Sequence, residues 1–216
     1  MESELKIIFP NEKELYDIQS STWFSNAIFT QDEKVEQYEN RYLDTEDQVL
    51  LKTKTSVRVR HIVGKNYVHT VKIGGKSING FSQRYEWNQE TKQREFDVEN
   101  FLKNAETSDD PLEILKESLA PIKGKTLIDI CMTKFKRKTL TAGFGDSIFE
   151  ICFDVGACIA GEKSEPICEL EIELIEGNAE DVKEFGTFVM EHSNGEFSNS
   201  SKYGRCLNLL RQGKEE

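Results

Sequence analysis

Alternation of apolar and charged positions is the dominant pattern in this chain. Its clearest case is residues 169–174, where three glutamates alternate with Leu170, Ile172 and Leu174. Side chains two residues apart share one face of a β-strand. The segment therefore predicts a strand with an apolar face and an acidic row made of Glu169, Glu171 and Glu173. Taken alone, it also fits a solvated edge strand whose outward charges prevent aggregation.

The same two-faced pattern recurs along the chain and predicts eight strands and a smaller set of amphipathic helices. The strands are predicted at 2–9, 34–43, 55–62, 67–73, 81–88, 127–140, 147–155 and 167–175. The helices are predicted from 11 through 18, around 98–102, from 110 to about 121, from 178 to 194 and from 201 through 210. Residues 90–125 are expected to serve structural packing.

The distribution of charge among the strands selects the fold. An ordinary half-buried sheet explains alternation, but not why arginine and lysine collect on the polar faces of some strands and glutamate on others. Amphipathic helices are available to cover the apolar faces. The predicted fold class is therefore α+β: a closed eight-stranded antiparallel β-barrel, or tunnel, with a charged interior and flanking helices. No linker rich in Pro, Gly or Ser divides residues 1–216, so one domain is expected.

Net charge and cysteine usage narrow the class of protein. The formal net charge is −11, which argues against a partner such as nucleic acid or an anionic membrane surface. The first residues lack a basic segment followed by a long apolar stretch, so neither export nor membrane insertion is expected. The five cysteines include no C-x-x-C pair, which favours reduced, largely buried thiols in a cytoplasmic protein and disfavours a zinc site.

The predicted inner wall of the barrel carries two sets of charged side chains. The cations are Lys6, Arg58, Arg60, Lys72, Arg84 and Arg137. The carboxylates are Glu2, Glu4, Asp154, Glu169, Glu171 and Glu173. Arginine grips phosphate with a planar fork and lysine supplies a compact charge, while clustered carboxylates suit Mg²⁺ or Mn²⁺. Together they predict a cavity for a polyanion bound with a divalent metal ion.

Each of these residues also has a simpler interpretation. Arg58 and Arg60 could be solvated strand charges, and Lys72 and Arg84 could pair with glutamates on neighbouring strands. Lys202 and Arg205 could lie on the surface of the last helix. A further Glu-x-Glu pair, at residues 12–14, falls on a predicted helix, where side chains two residues apart point to different sides and build no site.

In their order along the chain, these motifs resemble the CYTH domain, the triphosphate tunnel metalloenzyme superfamily. The Glu-x-Glu-x-Lys signature of that family is Glu2-Ser3-Glu4-Leu5-Lys6 here. The later matches are Tyr42-x-Asp44-Thr45, Val57-Arg58-Val59-Arg60, Thr70-Val71-Lys72, Arg84-x-Glu86, Arg137, Asp154, Glu169-x-Glu171-x-Glu173 and Ser201-Lys202-x-x-Arg205. Within the superfamily, residues 160–171 are most similar to the bacterial inorganic triphosphatases.

The resemblance implies an enzyme that hydrolyses inorganic triphosphate to pyrophosphate and phosphate with Mg²⁺ or Mn²⁺. It implies a small-molecule triphosphate partner and a monomer or homodimer. Lys6, Arg58, Arg60, Lys72, Arg84 and Arg137 would hold the phosphate oxygens and catalyse, and Lys202 and Arg205 would close one mouth and meet the substrate. The metal ion would be bound by Glu2, Glu4, Asp154, Glu169 and Glu171. Glu173 would be a further ligand or would contact the ligands from outside the coordination sphere.

Several alternatives stay open at this stage. Relatives with the same tunnel include class IV adenylate cyclases and thiamine or nucleoside triphosphatases, for which Trp23, Tyr42 or Trp87 could supply an aromatic surface. A non-catalytic module that binds polyphosphate or a nucleotide is a further alternative. The residue that accepts the proton from the attacking water could be Lys6 or one of the glutamates.

Overall fold

A computed structural model describes residues 1–105 and 110–212 and contains ten strands in that part of the chain. Eight of them are long. In chain order the strands are β1 (Glu2–Ile8), β2 (Phe29–Asp44), β3 (Thr55–Ile62), β4 (Tyr67–Ile73), β5 (Ser77–Ile78), β6 (Phe81–Thr91), β7 (Ile128–Phe144), β8 (Ser147–Ala160), β9 (Lys163–Glu176) and β10 (Glu196–Phe197). The two-residue strands β5 and β10 were not predicted.

The eight long strands close into an antiparallel barrel. Their order is β1-β9-β8-β7-β2-β3-β4-β6, and β6 returns to β1 through the pairs Glu2↔Arg84 and Glu4↔Ser82. Closure joins the first and last of these eight strands and gives the barrel an interior of its own. The predicted α+β fold with a closed eight-stranded barrel is therefore confirmed.

Seven α-helices surround the barrel in the described part of the chain. They are α1 (Glu12–Ser20), α2 (Thr22–Ala27), α3 (Val49–Lys52), α4 (Val98–Ala105), α5 (Leu112–Leu119), α6 (Ala179–Glu191) and α7 (Lys202–Gln212). The predictions of α1, α4, α5, α6 and α7 are confirmed, although α6 ends before residue 194. The short helices α2 and α3 were missed, since neither is long enough to show a helical period. None of the helices described is long and apolar enough to cross a lipid bilayer.

The apolar cores lie outside the barrel, between its wall and the helices. One core joins β1, β8 and β9 to α1, α2 and α6, with Leu5, Leu170 and Phe185 fully buried. A second joins β3, β4 and β6 to α4 and α5, with Val57 and Leu115 among its buried residues. Through this second core, the described residues of 90–105 and 110–125 have the packing role expected from the sequence.

Five strands are longer than predicted: β2, β6, β7, β8 and β9. β2 begins at Phe29 because a register shift between Gln31 and Lys34 lets it continue beside β7. β8 and β9 form a hairpin that reaches Ala160 and Lys163, with Gly161 at a φ of +61° in the turn. The inward positions near that turn are small, such as Gly156 and Cys158, so they carry no charge alternation that would mark a strand.

Candidate active site: a charged tunnel through the barrel

Most of the predicted site residues converge on one cavity inside the barrel. Its charged lining consists of Glu2, Glu4, Lys6, Arg58, Arg60, Lys72, Arg84, Glu86, Arg137, Glu171, Glu173 and Lys202. Tyr42, Ser56, Thr70, Ser201 and Tyr203 complete the wall. The charged faces of the strands thus turn inward together, and the edge-strand interpretation of residues 169–174 is wrong.

Strand alternation places the arginines of β3 in the tunnel. Val57 and Val59 are each 1% exposed and pack in the outer core. Arg58 and Arg60, on the opposite face of the same strand, therefore point into the barrel. The same rule applies to β9, where Leu170 and Ile172 are fully buried in the outer core beside α6. The interpretation of Arg58 and Arg60 as solvated surface charges is wrong.

One carboxylate cluster is already neutralised by lysine. Oxygen atoms of Asp154, Glu169 and Glu171 all lie within 4.8 Å of one another. The Lys202 ammonium group lies 2.6, 2.5 and 2.8 Å from these three carboxylates. Lys6 bonds to Glu169 at 3.2 Å and also to Glu171. The interpretation of Lys202 as helix surface is therefore wrong, since its side chain is 7% exposed.

Arginine completes this first cluster. The Arg137 guanidinium donates to both oxygens of Asp154, at 2.7 and 2.6 Å, and to Glu171. Burial alone would raise the pKa of Glu171, but Lys202, Lys6 and Arg137 outweigh it and hold that pKa well below its ordinary value. We conclude that this cluster is a network of paired charges.

Arg205 lies outside the tunnel. It lines a separate groove and donates to Glu165 at 2.6 Å and to Glu169 at 3.1 Å. It therefore contacts the first cluster only through Glu169, from the side away from the tunnel. Asp154 and Glu169 are fully buried within the wall of the tunnel.

A second carboxylate cluster is short of cations. It comprises Glu2, Glu4, Glu86 and Glu173, with Lys72 and Arg84 as its cations, while Lys6 lies 3.1 Å from Glu4 but also serves the first cluster. Lys72 bonds to Glu2 at 2.8 Å, and Arg84 bonds to Glu2 at 2.8 Å and to Glu4 at 3.0 Å. These contacts confirm that Lys72 and Arg84 pair with glutamates of neighbouring strands, although they do so inside the tunnel.

Glu173 shows the charge imbalance of the second cluster. Glu173 stands opposite Glu4 in the β1–β9 ladder, and no described residue forms an ion pair with it. Burial first, and then the negative charge of Glu2, raise the pKa of the Glu173 carboxyl to about 8. A carboxylate held in this way is stabilised by an additional cation.

Arg58 and Arg60 are the tunnel cations without carboxylate partners among the described residues. Arg58 donates to the Thr70 hydroxyl at 3.0 Å, and its buried Nε has no hydrogen-bond partner. Arg60 donates to Asn40 at 3.0 Å and lies 4.4 Å above the ring of Tyr38. Burial and the nearby charges of Arg58 and Arg137 lower the pKa of Arg60 to about 10. These two guanidinium groups are therefore poised to receive an external anion.

The donor sets of the two carboxylate clusters decide which one fits a divalent metal ion. Mg²⁺ and Mn²⁺ prefer carboxylate oxygens and need negative charge that is not already neutralised. Glu173 meets that condition, and Glu2 and Glu4 beside it share Lys72, Arg84 and Lys6 as their only cations among the described residues. The first cluster has close spacing, but Lys202 and Lys6 already supply its positive charge.

Several lining residues were missed by sequence reasoning. Glu86 was part of the Arg84-x-Glu86 motif, on the same strand face as Arg84, but it was given no role in the site. Thr70 shares a face with Lys72 and offered the same signal. No sequence pattern predicted Tyr203 as a lining residue, because its position depends on how α7 docks. In the structure its ring stacks on the ring of Tyr42, with the centroids 4.8 Å apart.

Comparison with known proteins gives concordant results. A model of the CYTH domain family matches residues 1–205. An inorganic triphosphatase from Haemophilus influenzae is 32% identical over 166 residues, which are 77% of this chain and 44% of that protein. The chain thus spans less than half of that relative's length.

Solved structures share the fold at lower identity. A candidate adenylyl cyclase from Hippeastrum with a dominant triphosphatase activity superposes with a TM-score of 0.63 at 19% identity, covering 99% of this chain and 96% of the other. A Pyrococcus horikoshii protein gives a TM-score of 0.57 at 15% identity, covering 96% and 99%.

Proposed function

The chain belongs to the CYTH domain family, and on that premise we propose that it hydrolyses inorganic triphosphate to pyrophosphate and phosphate with a divalent metal ion. The observation that carries the proposal is the asymmetry of the tunnel. Arg58 and Arg60 lack carboxylate partners among the described residues, while Glu173 and its neighbours lack sufficient cations. A triphosphate bound with Mg²⁺ or Mn²⁺ supplies negative charge to the first group and positive charge to the second.

Arg58 and Arg60 would bind the phosphate oxygens. A guanidinium group offers five N–H donors in a planar fork, which matches two phosphate oxygens at once. Placed in the tunnel wall, such donors stabilise the charge that develops on the transferred phosphoryl group. Lys6, Lys72, Arg84 and Lys202 would add positive charge from the tunnel wall.

Glu2, Glu4 and Glu173 would hold the metal ion. When bound, such an ion withdraws electron density from phosphate oxygens and makes a coordinated water more acidic. Asp154, Glu169 and Glu171 would act differently: they fix the positions of Lys6, Arg137 and Lys202, so that these cations need not reorganise when the substrate arrives.

A carboxylate is the better candidate than Lys6 for accepting the proton of the attacking water. Burial would lower the pKa of Lys6, but Glu169, Glu171 and Glu4 outweigh it and raise the pKa well above its ordinary value. An ammonium group held by three carboxylates keeps its proton, so Lys6 serves as a fixed positive charge.

The aromatic side chains near the tunnel favour an inorganic substrate over one with a base or a thiazolium ring. Tyr42 and Tyr203 cover each other's faces, and Arg60 covers Tyr38. Trp87 is 2% exposed and belongs to the outer core, and Trp23 packs against Phe188 outside the barrel. Each of the two tyrosines that line the tunnel therefore already has one face covered by the other, which leaves less aromatic surface for a ring to stack on. All five thiols are free, which supports a reducing, cytoplasmic location.

The test is a comparison of substrates. Purified protein is incubated with inorganic triphosphate, ATP or thiamine triphosphate in Mg²⁺ or Mn²⁺, and phosphate release is measured separately from cyclic AMP. We expect kcat/KM to be at least about tenfold higher for inorganic triphosphate, a difference of roughly 1.4 kcal/mol in transition-state binding. Formation of cyclic AMP would establish a cyclase instead, and binding without turnover would establish a non-catalytic module.

A further inference from the structure

A second cavity lies behind the tunnel wall, near the first residue of α7. It is bounded by the loop at residues 74–80 and by residues 198–201, and its volume is about 180 Å³. We call it the Gly-Ser pocket. Its lining consists of Glu4, Lys6, Gly74, Gly75, Lys76, Ser77, Gly80, Ser82, Arg84, Ser198, Asn199, Ser200 and Ser201. Glu4, Lys6, Arg84 and Ser201 line the tunnel as well, so the two spaces share these side chains as a common boundary.

Specific hydrogen bonds fix the shape of this pocket. The Asn199 side-chain oxygen accepts from the Gly80 N–H at 2.9 Å and from the Ser77 hydroxyl at 3.1 Å. Gly80 has a φ of +77°, and a Cβ at that position would lie 2.6 Å from the Lys6 carbonyl oxygen. The loop can approach β1 this closely only with glycine. The two segments are therefore joined into one wall.

The charge of the Gly-Ser pocket is positive. Its charged residues are Lys6, Lys76 and Arg84 against Glu4. The Glu4 carboxylate is bonded to Arg84 at 3.0 Å and lies 3.1 Å from the Lys6 ammonium. Lys76 is exposed at the rim and forms no ion pair with any residue in the described ranges. A small anion in the pocket would meet an unpaired cation.

Hydrogen-bond donors for such an anion are also present. Ser82 is 9% exposed and lines the pocket, and its hydroxyl has no partner among the residues described. Ser201 precedes α7 and also lines the pocket, so the amino-terminal end of an eleven-residue helix borders it. The first N–H groups of a helix have no partners within the helix and favour a negative charge.

We propose that the Gly-Ser pocket binds inorganic phosphate and lets the phosphate product leave the tunnel at its α7 end. Pockets for drug-sized ligands measure roughly 300–1,000 Å³, whereas a water molecule occupies about 30 Å³, so this pocket suits a small oxyanion with a few waters. Its role as an exit rests on the proposed triphosphatase activity, but the binding of phosphate does not.

The test is a calorimetric titration of inorganic phosphate into the protein without substrate. We expect two phosphates per chain, one in the tunnel and one in the pocket. Lys76→Met and Ser82→Ala should each weaken phosphate binding in the Gly-Ser pocket by about tenfold or more, as expected for a hydrogen bond to a charged group. Arg58→Ala should weaken phosphate binding in the tunnel. Lys92→Met, which removes an exposed lysine outside both cavities, is the matched control. Thermal melting verifies that each variant is folded.

The outcomes separate this proposal from the proposed function. Phosphate binding that is the same in Lys76→Met, Ser82→Ala and Lys92→Met overturns the pocket, whether or not triphosphate is hydrolysed. Weakened binding in the first two variants supports the pocket even if no triphosphate is hydrolysed. For an active enzyme, the exit role further requires that Lys76→Met changes the inhibition constant of added phosphate; an unchanged constant overturns that role.

Discussion

The ammonium group of Lys202 lies 2.5 Å from a carboxylate oxygen of Glu169, and Glu169 itself is fully buried. The first residue of α7 is thereby fastened to the strand that carries the acidic row. Two further carboxylates, Asp154 and Glu171, contact the same ammonium group. The docking of α7 therefore determines how this cluster is neutralised, and several consequences can be measured.

Replacing Lys202 should expose the charge of that cluster. Lys202→Met leaves three close carboxylates with one cation fewer, and removing one partner of a buried ion pair costs about 3–5 kcal/mol in the free energy of unfolding. Because their oxygens lie within 4.8 Å of one another, Mn²⁺ should raise the Tm of the variant more than that of the wild type. Urea unfolding with and without Mn²⁺ measures both effects.

The matched control is Lys116→Met, which removes an exposed lysine paired with Glu113 on α5. It should change the free energy of unfolding by less than about 0.5 kcal/mol. A Lys202→Met protein as stable as this control would show that the ammonium group does not neutralise the cluster.

Removing an unpaired arginine should weaken substrate binding more than folding. Arg58→Ala deletes a guanidinium group that no described carboxylate holds, so the expected result is a KM for triphosphate raised by about tenfold or more. Steady-state kinetics measure it. Arg41→Ala, which breaks an ion pair with Asp129 outside the tunnel, is the control and should keep its KM. An unchanged KM in Arg58→Ala would place Arg58 outside the binding site.

Glu173→Gln should weaken the metal site without unfolding the protein. The substitution keeps the size of the side chain but removes the charge that we assign to the metal ion, so the metal concentration for half-maximal activity should rise by at least about tenfold. Glu176→Gln, at the exposed end of the same strand, should behave like the wild type. Equal metal requirements in both variants would remove Glu173 from the site.

The contact between α6 and β1 can be tested with two glycines. A Cβ at Gly186 would lie 2.6 Å from a methyl carbon of buried Leu5, whereas the nearest neighbour of a Cβ at Gly204 in α7 is 3.4 Å away. Gly186→Ala should lower the free energy of unfolding by at least about 1 kcal/mol despite the better helix propensity. Gly204→Ala should leave it unchanged or raise it by up to about 1 kcal/mol. Stabilisation by Gly186→Ala would contradict the packing described.

His69 should make stability depend on pH. Burial lowers the pKa of His69, whose Nε2 lies 2.9 Å from the Gln93 carbonyl oxygen. The unfolded chain takes up a proton near pH 6.5 while the folded chain does not, so the free energy of unfolding should fall as the pH drops from 7.5 to 5.5. His69→Gln should reduce that slope and His192→Gln, at an exposed position, should not. Equal slopes in both variants would refute the assignment.

The alternation of side chains was sufficient to predict the barrel. In β3, the valines at 57 and 59 and the arginines at 58 and 60 occupy the faces that the sequence assigned to them. Alternation works here because strand geometry fixes which residues share a face, and closure then decides that the charged face is inside. Strand β8 was underestimated where Gly156 and Cys158 replace the charges on its inward face.

Which carboxylates have ion-pair partners and which do not could not be predicted from the sequence. Sequence reasoning treated Glu169, Glu171 and Glu173 as one metal-binding row. In the structure, Lys202 from a distant helix approaches the first two, and Glu173 is left without an ion-pair partner among the described residues. Arg205, one turn further along α7, projects outside the tunnel. These relationships depend on how α7 docks, which a linear pattern does not encode.

The most direct test of the triphosphatase assignment is to follow inorganic triphosphate by ³¹P NMR in the presence of the protein and Mg²⁺. The account predicts phosphate and pyrophosphate in equal amounts, no turnover once EDTA removes the metal, and a rate at least about 100-fold lower for Glu4→Gln. Triphosphate that stays intact with Mg²⁺ and Mn²⁺, or hydrolysis at the same rate in EDTA, would contradict it.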